Sequence, residues 1–105
     1  MTDKKIILTT TGSREEAQKI ARSLVERKLA ACVNIVGPIE SVYRWKGEVE
    51  TSEEFLLVIK TTAAAYQRVG DLIRLLHSYE LPECVQLSIE DGPPKYLEWI
   101  GESVE

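Results

Sequence analysis

The sequence predicts a single α+β domain whose strands and helices run β-α-β-β-α-β, followed by one further helix. Two observations carry that prediction. Two stretches repeat apolar residues at spacings of three and four, and between them lies a long pair of extended segments hinged at Lys46-Gly47. At 105 residues the chain has room for one hydrophobic core and not for two, so residues 1–105 are expected to form one domain.

The first segment, KKIILTTT (4–11), is aliphatic and β-branched and stops at Gly12, as a buried strand does. Ser13 and Glu16 then form a capping box that opens a helix. Ala17, Ile20, Ala21, Leu24 and Val25 supply its inward stripe, Arg14, Glu15, Gln18, Lys19, Arg22 and Glu26 face water, and the helix is expected to end near Leu29. Residues 30–45 (AACVNIVGPIESVYRW) are extended, with Gly37-Pro38 marking a bulge or bend. Lys46-Gly47 supplies a tight turn because glycine reaches positive φ at little cost, and residues 48–61 run back to complete a long hairpin.

Tyr66, Val69, Leu72, Ile73 and Leu76 mark a second helix over about 63–77. CVQLSIE (84–90) alternates as a last strand, with Val85, Leu87 and Ile89 on one face. DGPP (91–94) breaks the chain and opens a short third helix, expected to turn Tyr96, Leu97, Ile100 and Val104 inward. This order is that of the split βαβ, or ferredoxin-like, sandwich, in which two helices cover one face of a four-stranded antiparallel sheet.

Hairpin strands of roughly 12 to 15 residues are about twice the usual length, so the tip is expected to project past the sheet. It carries Val42, Tyr43, Trp45 and Val49, and a bare two-stranded ribbon is marginal in water. A neighbouring subunit is the natural cover. Cyclic closure of three copies would shield the strand edges and the open sheet face together, which predicts a homotrimer.

Thirteen basic against seventeen acidic residues leave a net charge of −4, with no Lys/Arg block, and this argues against nucleic-acid binding. No apolar run has the length of a signal-peptide core or a bilayer span, so a cytoplasmic protein with no membrane partner is expected. Cys32 and Cys84 stand 52 positions apart without a CxxC partner and read as free thiols.

CVNI (32–35), SVYRWKGEVE (41–50), LLVIKT (56–61) and HSYELPE (77–83), in this order and spacing, resemble the CutA family of divalent-cation tolerance proteins across nearly the whole chain. The resemblance implies a ferredoxin-like subunit in a tight homotrimer, a part in tolerance to copper and other divalent cations, and no established catalytic activity.

His77, the only histidine, is the first candidate metal donor, with Glu80 and Glu83 near it in sequence. The weightier reading is a helix end, where imidazole bonds the last carbonyls. Relatives usually carry proline where this chain has Ser78. Cys32 matches a cysteine frequent in the family and a thiolate suits Cu(I), although a free cysteine early in a strand more often packs as a small hydrophobe. Thr9 and Leu76 stand where some bacterial relatives have a further cysteine and histidine, which argues against tight copper binding. Cys84 reads as packing.

Tyr43, Trp45, Lys60 and Tyr79, with Glu80, form a second constellation of aromatic walls, one cation and one anion, expected in a cleft between subunits. The competing reading is interface packing, in which Trp and Tyr are enriched. GxGxxG and P-loop patterns are absent, and no nucleophile–base signature surrounds His77 or either cysteine, so no enzyme is expected. The expected function is a cytoplasmic trimer that binds copper or another divalent cation weakly, with no obligatory cofactor. A module of the PII signalling type with a small ligand in the interface cleft, and a trimeric scaffold, are the alternatives.

Overall fold

The computed structural model describes residues 2–105. Its elements are β1 (Lys4–Thr11), α1 (Arg14–Glu26), β2 (Cys32–Trp45), β3 (Glu48–Thr62), a 3-10 turn (Ala63–Ala65), α2 (Tyr66–Leu76), β4 (Val85–Ser88) and α3 (Pro94–Ser103). The four strands form one antiparallel sheet in the order β2-β3-β1-β4. The α+β architecture and element order are those the sequence predicts.

One face of the sheet is sealed by α1 and α2. Ile7, Leu57 and Ile59 from the strands meet Ala17, Ile20 and Leu24 of α1 and Val69 and Ile73 of α2, all fully buried. Removing this apolar surface from water is the main driving force for the fold. The other face meets α3 at its Lys4 end and is otherwise open in the single chain. Ile6, Leu8, Leu56 and Val58 are half-buried there, while Val36, Val85 and Leu87 are exposed.

Helix α1 stops earlier than expected, at Glu26. Lys28 takes a left-handed conformation (φ 58°), and Lys28 N–H and Leu29 N–H turn back to the carbonyls of Val25 and Leu24 at 3.1 and 2.9 Å. This is a Schellman-type stop made by a lysine in place of the usual glycine. Val25, expected inside, is exposed at the rim of the stripe. In α3 the inward side is Ile100, fully buried, with Val104 packed on the core and Leu97 half-buried. Tyr96, also expected inside, instead lies exposed against Trp99, with ring centroids 5.5 Å apart.

The hairpin strands are 14 and 15 residues long. β1 pairs with β3 only as far as Thr11↔Phe55, so residues 39–54 leave the sheet as a two-stranded ribbon and stretch the molecule to 44 Å. Lys46 (φ 52°) and Gly47 (φ 84°) close it, a pair of positive angles that matches the twist of a two-residue hairpin. The register slips between Val36, which faces Leu56, and Ile39, which faces Glu54. That bulge at Gly37-Pro38 adds one residue to β2, so the face held by Cys32, Asn34 and Val36 passes to Ile39, Ser41, Tyr43 and Trp45. Among the described residues no helix is long and apolar enough to cross a membrane.

Candidate functional site

The bulge aims Ser41, Tyr43 and Trp45 at the same side as Glu50 and Glu54 of β3, because Tyr43 stands opposite Glu50 in the register. The loop after α2 rises beside that surface. Between them is an open pocket of about 670 Å³, lined by Thr10, Ser41, Tyr43, Trp45 and Val42, by Glu50 and Glu54, and by the loop residues Ser78, Tyr79, Glu80, Leu81 and Glu83. Four carboxylates border it, and no Lys, Arg or His among the described residues does.

His77 fixes the loop. As the residue ending α2 it gives its backbone N–H to the Ile73 carbonyl at 2.9 Å and then turns extended. Its ring is fully buried. Nε2 lies 2.7 Å from the Thr10 carbonyl, which can only accept, so this nitrogen carries the proton. Nδ1 therefore takes the backbone N–H of Tyr79, at 3.1 Å. Both ring nitrogens are engaged within the chain, and no lone pair is left facing a metal.

Glu16 braces the same loop. Its backbone N–H bonds Ser13 Oγ at 3.1 Å, half of the expected capping box, but its carboxylate takes the Ser78 N–H at 3.1 Å instead of returning to Ser13. Its other oxygen, buried and without a hydrogen-bond partner, stands 3.7 Å from His77 Nδ1.

Tyr79 joins loop to hairpin. Its hydroxyl donates to Glu54 Oε2 at 2.7 Å, and Glu54 is only 7% exposed. Burial first, then the hydrogen bond and the charge of Glu54, hold the phenol protonated far above its ordinary range. Glu83 is also raised, first by desolvation and then by the charge of Glu54, so two like charges crowd one side of the pocket.

The expected site residues divide into two groups. Tyr43, Trp45, Tyr79 and Glu80 come together in the pocket. Lys60 does not join them: it lies six residues beyond Glu54 along β3, roughly 20 Å away at about 3.3 Å per residue. There it pairs with Cys32 across the strands and bonds Asn34 Oδ1. Cys32 is half-buried on the uncovered sheet face and not in the core. Cys84, in contrast, packs against the core, and burial raises its thiol. Among the described residues, no three His, Cys, Asp or Glu side chains are disposed to hold a metal ion within one chain, and Cys32, His77 and Glu80 stay apart.

Glu50 and Glu54, in EVETSEEF (48–55), are not among the residues singled out from sequence. A signal was present: a two-residue turn at Lys46-Gly47 fixes Trp45 opposite Glu48 and hence Tyr43 opposite Glu50.

The sheet order, the overlong hairpin and the acidic aromatic pocket define a small α+β protein built around one covered and one uncovered sheet face. Residues 5–103 match the family model described as CutA1 divalent ion tolerance protein, and the chain belongs to that family. It is 46% identical over 99 residues to the divalent-cation tolerance protein CutA of Thermus thermophilus, covering 94% of this chain and 96% of that one. It is 49% identical over 88 residues to the CutA homolog of Xenopus laevis, covering 84% of this chain and 58% of that longer one. The solved Thermus thermophilus structure superposes with a TM-score of 0.95 at 44% identity, covering 97% of this chain and 99% of that chain. The CutA1 structure from Oryza sativa does so at 0.95 and 40% identity, covering 97% and 94%.

Proposed function

We propose that the chain acts in the cytoplasm as a single-domain, ferredoxin-like, homotrimeric divalent-cation tolerance protein, and that its cation site is the pocket beside the hairpin. The observation that carries this is the pocket's border of Glu50, Glu54, Glu80 and Glu83 without a cationic side chain. Carboxylate oxygens suit hard and borderline divalent ions better than Cu(I). Without three ligands converging in one chain, the ion is held weakly and keeps water, or draws further ligands from a neighbouring subunit. Glu80 is the one expected donor within the pocket. His77 serves it by ordering the loop, and a copper ion at Cys32 would need donors from another subunit.

Self-association is supported by the uncovered face of Ile6, Leu8, Val58, Val85 and Leu87, and by the exposed ribbon residues Val42 and Val49. Apolar surface this continuous favours burial against another copy, and a closed ring also covers the β2 and β4 edges. A PII-type module for an anionic ligand is less well supported, because Lys60 lies at the far end of the sheet from the carboxylates.

Equilibrium dialysis against Cu(II) and Zn(II), combined with light scattering, tests the proposal. The expected result is a mass of three chains and saturable uptake that falls at least tenfold in the Glu54→Gln, Glu80→Gln double variant. A monomer would overturn the assembly. Uptake that survives the double variant but is lost in Cys32→Ser or His77→Ala would move the ion to those donors.

A further inference from the structure

His77 and Glu16 form a buried pair that the cation reading leaves unused. The imidazole is fully buried, and the Glu16 side chain is 17% exposed. Three elements meet at the ring. From β1 the Thr10 carbonyl accepts Nε2–H at 2.7 Å. From the loop after α2 the Tyr79 N–H donates to Nδ1 at 3.1 Å, and the Tyr79 ring lies 4.7 Å away between centroids. From α1 comes the Glu16 carboxylate, the charged group that faces the ring. Of the other titratable groups around it, the Tyr79 phenol is held protonated, and Glu54 of the hairpin is bound to the hydroxyl at the end of that side chain. On α2 itself, Arg74 is turned to solvent and paired with Asp71.

The two oxygens of Glu16 are in different states. Oε2 accepts the Ser78 N–H at 3.1 Å, whereas Oε1 is buried, has no donor and stands 3.7 Å from Nδ1. Most buried side-chain oxygens have a donor. The neutral ring cannot supply one here, because its Nδ1 is an acceptor already taken by Tyr79. Once the ring takes a second proton, both of its nitrogens are donors. Nε2–H keeps the Thr10 carbonyl, and Nδ1–H reaches Glu16 Oε1 after closing to the roughly 2.8 Å of a charge-assisted bond. The Tyr79 N–H then faces another N–H and must turn away.

We infer that His77 and Glu16 form a proton-operated latch on the loop after α2: the neutral ring holds the Tyr79 backbone, and the protonated ring releases it in exchange for Glu16 Oε1. Histidine is the side chain whose charge ordinarily changes between about pH 5 and 8. The latch acts on a wall of the pocket, since Tyr79 also carries the hydroxyl that ties the loop to Glu54. Ser78 stays anchored, because its acceptor is the other oxygen of Glu16, so the release begins at Tyr79. The latch moves the loop whether or not an ion binds in the pocket, and its test fails or succeeds separately from that of the cation site.

Amide hydrogen exchange resolved by residue, with ring protonation followed through the imidazole nitrogen shifts, tests this on the purified metal-free protein at about pH 7.5 and about pH 5.5, on either side of histidine's ordinary value. Protection factors are compared, since they remove the intrinsic pH dependence of exchange. The expected result is that Nδ1 gains a proton at the lower pH and the Tyr79 N–H loses protection at least about tenfold, while the Ser78 N–H changes less than about threefold. His77→Gln, which offers Tyr79 no acceptor, is expected to leave that amide unprotected at both pH values. In Glu16→Gln the single amide oxygen cannot serve Ser78 and a protonated ring together, so the loss at Tyr79 is expected to fall below about threefold. A ring still neutral at the lower pH, or unchanged Tyr79 protection, would overturn the latch. Equal loss at Ser78 and Tyr79 would mean that the whole loop opens and would overturn the exchange of partners. A tenfold loss that persists in Glu16→Gln would overturn the part assigned to Glu16. Should His77→Gln fail to fold, the wild-type and Glu16→Gln measurements decide the question alone.

Discussion

The Tyr79 hydroxyl and Glu54 Oε2, 2.7 Å apart, tie the loop after α2 to the base of the projecting hairpin. Without that bond a nearly buried carboxylate oxygen loses its donor. Hydrogen bonds to charged groups contribute about 1.5–3 kcal/mol, and leaving the acceptor unpaired removes that and more. Tyr79→Phe, which deletes one oxygen and keeps the ring, is therefore expected to destabilise the protein by about 2 kcal/mol in urea denaturation. An unchanged midpoint would mean that water replaces the hydroxyl freely.

His77 predicts a structural effect that is separable from ion binding. Its ring satisfies the Thr10 carbonyl and the Tyr79 N–H at once, and it is fully buried. His77→Ala abandons both groups and opens a void, for a loss of about 2–4 kcal/mol. His77→Gln can reach the Thr10 carbonyl with its amide but not the Tyr79 N–H, so it should recover about half. Equal stability of the two variants would show that the ring acts through volume and not through its hydrogen bonds.

Glu83 makes a prediction with a defined sign in pH. Desolvation and the Glu54 charge raise its carboxyl in the folded state above its unfolded value. The ionised side chain is thus less at ease in the fold than in the unfolded chain. Its favourable contribution is present below the ordinary carboxylate value and is lost as pH rises through the folded value. Glu83→Gln should accordingly raise Tm at pH 7 and confer no gain near pH 3. Because the residue is largely exposed, solvent screening keeps the gain below the roughly 4 °C that 1 kcal/mol gives in a domain of this size. A larger gain at pH 3 than at pH 7 would reverse the assignment.

The order of elements was legible because its signals are local. Ala17, Ile20, Ala21 and Leu24 in α1, and Val69, Leu72 and Ile73 in α2, keep the 3.6-residue period and are buried as that period requires. Val25 and Tyr96, four residues from buried Ala21 and Ile100, sit at the rims of their stripes, where periodicity cannot say how far the neighbouring element reaches. The end of α1 was misread because Lys28 fills a left-handed position that sequence rules assign to glycine. Of the site, Tyr43, Trp45, Tyr79 and Glu80 were legible as a group. Lys60 stands six residues along the same strand from Glu54, so it can join the group only from a neighbouring subunit, as the expectation of a cleft between subunits has it. Glu16 could not be foreseen as a brace for Ser78, because that contact spans 62 residues of chain.

Gly37 decides which face of the hairpin carries the site. Up to Val36 the even-numbered residues of β2 share the uncovered sheet face. Beyond the bulge Ile39, Ser41, Tyr43 and Trp45 hold it, and only then do Tyr43 and Trp45 stand over Glu50 and Glu54. The bulge brings the backbone so close to β3 that a Cβ on Gly37 would lie 2.6 Å from Phe55 Cδ2 and 3.1 Å from the Glu54 carbonyl oxygen. The second of these is main chain and cannot swing aside. Phe55 is itself buried, with the Arg14 guanidinium 4.8 Å from its ring centre. Gly37→Ala should therefore cost about 1–3 kcal/mol, the range for forcing extra volume into a packed site. It should also weaken ion uptake, because moving β3 away from the bulge displaces Glu54 from Tyr79. Denaturation and dialysis on the one variant would check both, and a stable Gly37→Ala protein with wild-type uptake would show that the bulge tolerates a side chain and that the pocket does not depend on its close approach.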